Sequence, residues 1–100
     1  MGVRRCGLDN PRVPRISAFY GIVITMYFRD HPPPHFHARY GEHVAEIAIA
    51  IDTLAPIDGW LPPRALRLVL EWAGKHQDEL RANWDRARAH DALVGIDPLP

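Results

Sequence analysis

Three consecutive prolines, Pro32, Pro33 and Pro34, stand between two stretches in which apolar and polar residues alternate. Proline fixes φ and lacks an N–H, so three in a row cannot continue a strand ladder and must form a stiff connection. Upstream, Ile22, Ile24, Met26 and Phe28 fall on one face of an extended chain, and Val23, Thr25, Tyr27 and Arg29 on the other. That strand must stop near Asp30, and Phe36 to Tyr40 restarts the sheet. Gly41-Glu42 reads as a two-residue hairpin turn, with glycine supplying positive φ. The next strand, Val44 to Ile51, puts Val44, Glu46, Ala48 and Ala50 on one face and Ala45, Ile47, Ile49 and Ile51 on the other.

Leu54 to Trp60 suggests one more short strand, interrupted by Pro56 and by the turn signal Asp58-Gly59. Pro62-Pro63 opens a helix where a missing N–H costs nothing. Leu66, Val69, Leu70, Ala73, Leu80, Trp84 and Ala87 recur at helical spacing, and Gly74 with Lys75-His76-Gln77 predicts a bend. The expected fold is α+β: a three- to four-stranded antiparallel meander followed by a C-terminal helix or bent helix pair packed on one face. The helices should cover the Ile22, Phe36, Ile47 and Ile49 face, with Trp60 as a packing anchor and Trp72 and Trp84 in or beside the core. The opposite face is expected to stay uncovered.

One hundred residues suffice for one domain, assigned to residues 16–90. Residues 1–15 carry Arg4, Arg5, Arg12 and Arg15 against Asp9, without apolar periodicity, and read as a flexible basic tail. Val13 is a candidate true start, because bacterial genes sometimes initiate at a valine codon. Residues 91–100 read as a loosely ordered C-terminal tail. A formal charge of zero argues against a protein that coats nucleic acid by neutralising many phosphates. The single Cys6 excludes an internal disulfide, and no apolar run approaches the roughly eighteen residues of a membrane span, so a cytoplasmic protein is expected.

The chemistry should lie around Asp30-His31-Pro32-Pro33-Pro34-His35-Phe36-His37-Ala38-Arg39-Tyr40. In an extended chain His35, His37 and Arg39 share a face. A two-residue turn would set His37 opposite Glu46, Arg39 opposite Val44 and Phe36 opposite Ile47, with Ala48 and Ala50 flooring a shallow polar site. Imidazoles that titrate near neutrality and a guanidinium are the groups that metal-independent RNA cleavage requires. His35 would act as base, His37 as acid with Glu46 raising its pKa, and Arg39 as phosphate clamp. Tyr27, on the matching face of a neighbouring strand, would add a donor. Tyr27, His31, Ala48 and Ala50 would line the substrate or partner seat. No metal is favoured, because Arg39 shares the face and His43 falls on the other. A divalent transition metal, if bound, would use His31, His35 and His37, with Glu46 in reserve. The remaining reading is a binding module without chemistry.

Ile16-Ser17, Phe19-Tyr20-Gly21-Ile22, the Asp30 to His37 run, Tyr40-Gly41-Glu42, Leu70-Glu71-Trp72-Ala73 and Asn83-Trp84 together resemble the small bacterial domain-of-unknown-function 4160 family. The resemblance spans residues 14–97, and its most specific part is His-Pro-Pro-Pro-His-Phe-His. Members of that family typically begin just before the Ile-Ser pair, in keeping with a start at Val13. They are often encoded beside a second small protein, which implies a toxin-antitoxin component with a cognate partner. The functional expectation is therefore a toxin-antitoxin-like component, a candidate endoribonuclease, that binds or cleaves RNA through the His35, His37 and Arg39 face. The alternatives are a non-catalytic partner-binding module and a histidine-ligated metal-binding protein. The resemblance carries no catalytic residues with it.

Overall fold

A computed structural model describes residues 14–41 and 45–100. The Val13 start, the tail up to residue 13, His43, Val44 and the second residue of the Gly41-Glu42 turn lie outside the described residues. Five strands, β1 (Arg15–Phe19), β2 (Ile22–Thr25), β3 (His35–Tyr40), β4 (Ala45–Ala50) and β5 (Pro56–Gly59), precede two helices, α1 (Pro63–Lys75) and α2 (Gln77–Arg88). The sheet is an antiparallel meander in the order β1-β2-β3-β4-β5. It has five strands where the sequence predicts three or four.

The additional strand is β1, of which Arg15 is the first residue rather than the end of a tail. Phe19 pairs with Ile22, so Tyr20-Gly21 is a two-residue turn with positive φ at both positions, 51° and 79°. Such turns match the twist of antiparallel strands, and glycine takes its place in one without a Cβ clash. β5 forms where the weak Leu54 to Trp60 signal lies, as an exposed edge strand. Trp60 is 63% exposed, so it does not anchor helix packing as expected.

The β3–β4 register differs from the expected one by two residues. Tyr40 pairs with Ala45, Arg39 with Glu46, His37 with Ala48, Phe36 with Ile49 and His35 with Ala50. The paired Tyr40 and Ala45 are therefore further apart in sequence than a two-residue turn allows. An even shift preserves sidedness because side chains alternate with period two. Phe36 and Ala38 still join Ile47 and Ile49 on the core face, while His37 and Glu46 still share the other.

Ile22, Ile24, Met26, Phe36, Ile49 and Ile51 are fully buried against Val69, Trp72, Ala73, Leu80 and Ala87 of the helices. Trp72 lies at the centre, its ring 5.4 Å from that of Phe19 and 5.9 Å from that of Phe36. Each such side chain contributes about 1.5–3 kcal/mol by leaving water. The helices break at His76, whose N–H returns to the Ala73 carbonyl, so the expected bent pair is present.

Residues 91–100 have no regular structure, yet they are not the loose tail expected. Ile96 and Leu99 are buried, and the Ile96 N–H donates to the Ile16 carbonyl. Trp72 Nε1 donates to the Asp97 carbonyl at 2.8 Å. Asn83, fully buried on α2, donates to the Val94 carbonyl at 2.8 Å and accepts the Val94 N–H at 2.9 Å. Among the described residues no helix is long and apolar enough to cross a membrane.

Candidate functional site

The proline corner returns the chain so that Asp30, in the connection between β2 and β3, meets the first residues of β3. His35 Nε2 lies 2.9 Å from Asp30 Oδ2, and His37 Nε2 lies 3.3 Å from the same oxygen. The other carboxylate oxygen accepts the His31 N–H at 2.8 Å. His35 Nδ1 is 2.7 Å from the Pro33 carbonyl, and His37 Nδ1 is 3.4 Å from Glu46 Oε2. Asp30, the residue missed as a site member, is thus the hub of the cluster.

Proton counting constrains what this hub can hold. The Pro33 carbonyl can only accept, so His35 Nδ1 must carry a proton and donate it. In a neutral ring Nε2 then presents a lone pair, and it faces a carboxylate that is also acceptor-only. His37 has carboxylates at both ring nitrogens, whereas a neutral imidazole has one proton to offer. Positive charge at the centre, either one additional proton on each imidazole or a single metal ion, resolves both conflicts.

One ligand atom from each of Asp30, His35 and His37 lies within 4.8 Å of the others. Ligands about 2.0–2.2 Å from a zinc ion are separated by roughly 3–3.5 Å, close to the two Nε2 to Oδ2 distances observed. The outward nitrogens have the partners expected of metal-bound histidines, a backbone carbonyl for His35 and a carboxylate for His37. Asp30, rather than His31, completes the set. His31 donates its backbone N–H to Asp30, and its ring is not part of the cluster.

The surroundings are partly dry. His35 is 9% exposed and packs 5.3 Å from the Trp84 ring of α2, so this end of the histidine face is covered, contrary to expectation. With both ring nitrogens engaged, His35 has none directed at substrate, which removes the geometric basis for its role as general base. Tyr27 stands edge-on to His37 with centroids 4.5 Å apart; β2 pairs with β3 as expected but ends at Thr25, so Tyr27 lies just beyond the strand that the sequence predicts to carry it. Burial, and then the Glu46 charge, push the Tyr27 phenol above its ordinary value, keeping it a proton donor at neutral pH. At Asp30 burial acts to raise the pKa. It is outweighed by the His31 N–H, the His37 hydrogen bond and the histidine charges, and the net shift is downward.

Arg39 is exposed and pairs with Glu46 at the outer end of the face, one pleat beyond His37. Ala48 and Ala50 share this face as expected, but the shifted register sets them directly opposite His37 and His35 across the β3–β4 ladder. Beside Asp30 a cleft of about 380 Å³ is lined by Arg29, Asp30, His31, Pro32 and Arg88.

The sequence model of one family, described as Domain of unknown function (DUF4160), matches residues 21–85. That span runs from the β1–β2 turn through most of α2 and includes the whole Asp30, His35 and His37 cluster. Neither a curated protein nor a solved structure matches the chain.

Proposed function

The chain belongs to the DUF4160 family, whose description assigns no activity, and we propose from the site itself that it binds one divalent transition-metal ion through Asp30, His35 and His37. The observation that carries this reading is the convergence of two imidazole Nε2 atoms on one carboxylate oxygen while each Nδ1 faces an acceptor. Two histidines and one carboxylate on one side of an ion leave its remaining positions for water or substrate. Such an ion supplies Lewis acidity and a lowered water pKa for hydrolysis. Tyr27 and Arg39 flank it as proton donor and cation. The cytoplasmic setting belongs to the same proposal.

A second reading retains the toxin-antitoxin-like component that binds or cleaves RNA without metal, with a small cognate protein as partner. It is supported by the contact of Tyr27 with His37 and by Arg39 on the same exposed face. In this version His37 and Tyr27 handle protons, Arg39 meets the phosphate, and His35 holds Asp30 in place.

One preparation distinguishes the two. Protein stripped of metal and titrated with zinc should bind one equivalent, and Asp30→Asn and His35→Ala should each weaken binding at least tenfold. Cleavage of a mixed single-stranded RNA that is lost in EDTA and restored by metal belongs to the first reading. Cleavage indifferent to EDTA but lost in His37→Ala belongs to the second. Stoichiometric zinc binding unaffected by either ligand substitution overturns the metal site.

A further inference from the structure

We propose that the cleft beside Asp30 is a phosphate seat, with Arg29 and Arg88 as its cationic arms and His31 on its wall. The cleft itself is independent of the metal reading; the statement that a phosphate ester is the substrate class of the site rests on it. About 380 Å³ lies within the size range of small-ligand pockets and can hold a phosphate with part of a nucleoside.

The wall is cationic because its one acid is engaged by other partners. Asp30 directs Oδ2 to His35 and His37 and uses Oδ1 for the His31 N–H, so neither oxygen pairs with an arginine. Among the described residues neither Arg29 nor Arg88 forms a salt bridge. Two guanidiniums on one cleft repel each other, and an anion between them removes that repulsion. The planar guanidinium fork matches a phosphate's oxygens two at a time.

Arg29 is also held in place by an unusual local arrangement. Its φ is 57°, in the left-handed region that non-glycine residues rarely occupy. His90, just beyond α2, has φ 60° and is likewise not glycine. The two meet: Arg29 donates from one guanidinium nitrogen to His90 Nε2 at 3.4 Å, and the His90 ring stacks on Phe28 at 5.7 Å with an interplanar angle of 7°. This brace uses one of the five guanidinium N–H groups and leaves the others for a ligand. Unfavourable backbone conformations that are cross-braced beside a cluster of chemical groups are characteristic of ligand sites. Arg88 comes from the last turn of α2, so the seat joins the β2–β3 corner to the helix. An anion bound there lies beside Asp30, which belongs to both the cleft and the histidine cluster.

The test uses the full chain in EDTA, so that phosphate binding is read without metal. Amide and guanidinium NMR signals are followed while a nucleoside monophosphate, and separately a short single-stranded oligoribonucleotide, is added. Arg29, His31 and Arg88 should shift with either ligand. The Arg29→Gln/Arg88→Gln double variant should bind at least tenfold more weakly, with zinc binding, measured separately without EDTA, unchanged. Tighter binding of the oligonucleotide, with a steeper salt dependence, would assign the phosphate to an RNA strand; equal affinity would assign it to a free nucleotide. Shifts confined to other surfaces, or equal affinity in the double variant, overturn the seat even where zinc still binds. Loss of zinc binding in Asp30→Asn with phosphate binding retained shows that the two sites are separable.

Discussion

Replacing Asn83 with alanine should release the C-terminal segment and destabilise the whole domain. The Asn83 side chain is fully buried and makes three hydrogen bonds: to the Val94 carbonyl at 2.8 Å, from the Val94 N–H at 2.9 Å and from Arg86 at 2.9 Å. Each is worth about 1 kcal/mol net, the Arg86 bond less because that side chain can return to water. The expected loss is about 2–3 kcal/mol, which for a domain of this size lowers Tm by roughly 10–20 °C. Asn83→Asp is the informative comparison. It keeps acceptors for Val94 and Arg86 but turns an oxygen toward the Val94 carbonyl and buries a charge, so it should be no better than alanine. Chemical denaturation gives the stability, and hydrogen exchange at Val94 and Ile96 shows whether the segment opens first. If Asn83→Ala stays within about 0.5 kcal/mol of the parent with Ile96 still protected, apolar burial of Ile96 and Leu99 alone holds the segment, and the hydrogen-bond argument fails.

Three further outcomes are expected. Gly59 has φ +88°, and a Cβ there would collide with the Glu46 carbonyl and lie 3.0 Å from Ile47 Cα, so Gly59→Ala should cost more than about 2 kcal/mol in a denaturant melt. Glu46→Gln leaves the fold intact but removes the carboxylate facing His37 Nδ1, and should weaken zinc binding about tenfold by calorimetry. His37→Ala should weaken metal binding at least tenfold while costing less than about 1 kcal/mol, because the ring lies off the core face; a variant that unfolds at room temperature would refute the assigned sidedness.

The sidedness of the sheet was legible because Ile22, Ile24, Phe36, Ile47 and Ile49 alternate with polar or small residues, and period two survives any even change in turn length. The register was not legible, because Gly41-Glu42 satisfies a two-residue turn as well as the beginning of a longer one. β1 was hidden by its brevity and by Pro14 and Arg15 at its start, although Tyr20-Gly21 between two apolar runs was a hairpin signal. The side-chain hydrogen bonds that dock the C-terminal segment come from a single buried asparagine and a tryptophan N–H, which have no periodicity to read. Within the site, alternation identified His37, Arg39 and Glu46 as sharing one face and Tyr27 as adjacent. It could not identify Asp30, which reaches His35 and His37 across a loop rather than along a strand. The position of Asp30 at the edge of the proline corner was the available signal.

The most direct test of the central claim is zinc-edge X-ray absorption of the full chain loaded with one equivalent of zinc. Two imidazole ligands with oxygen completing the shell, falling to one imidazole in both His35→Ala and His37→Ala, is the result the Asp30, His35 and His37 centre predicts. A shell containing sulfur, or an imidazole count unchanged in both variants, would contradict it.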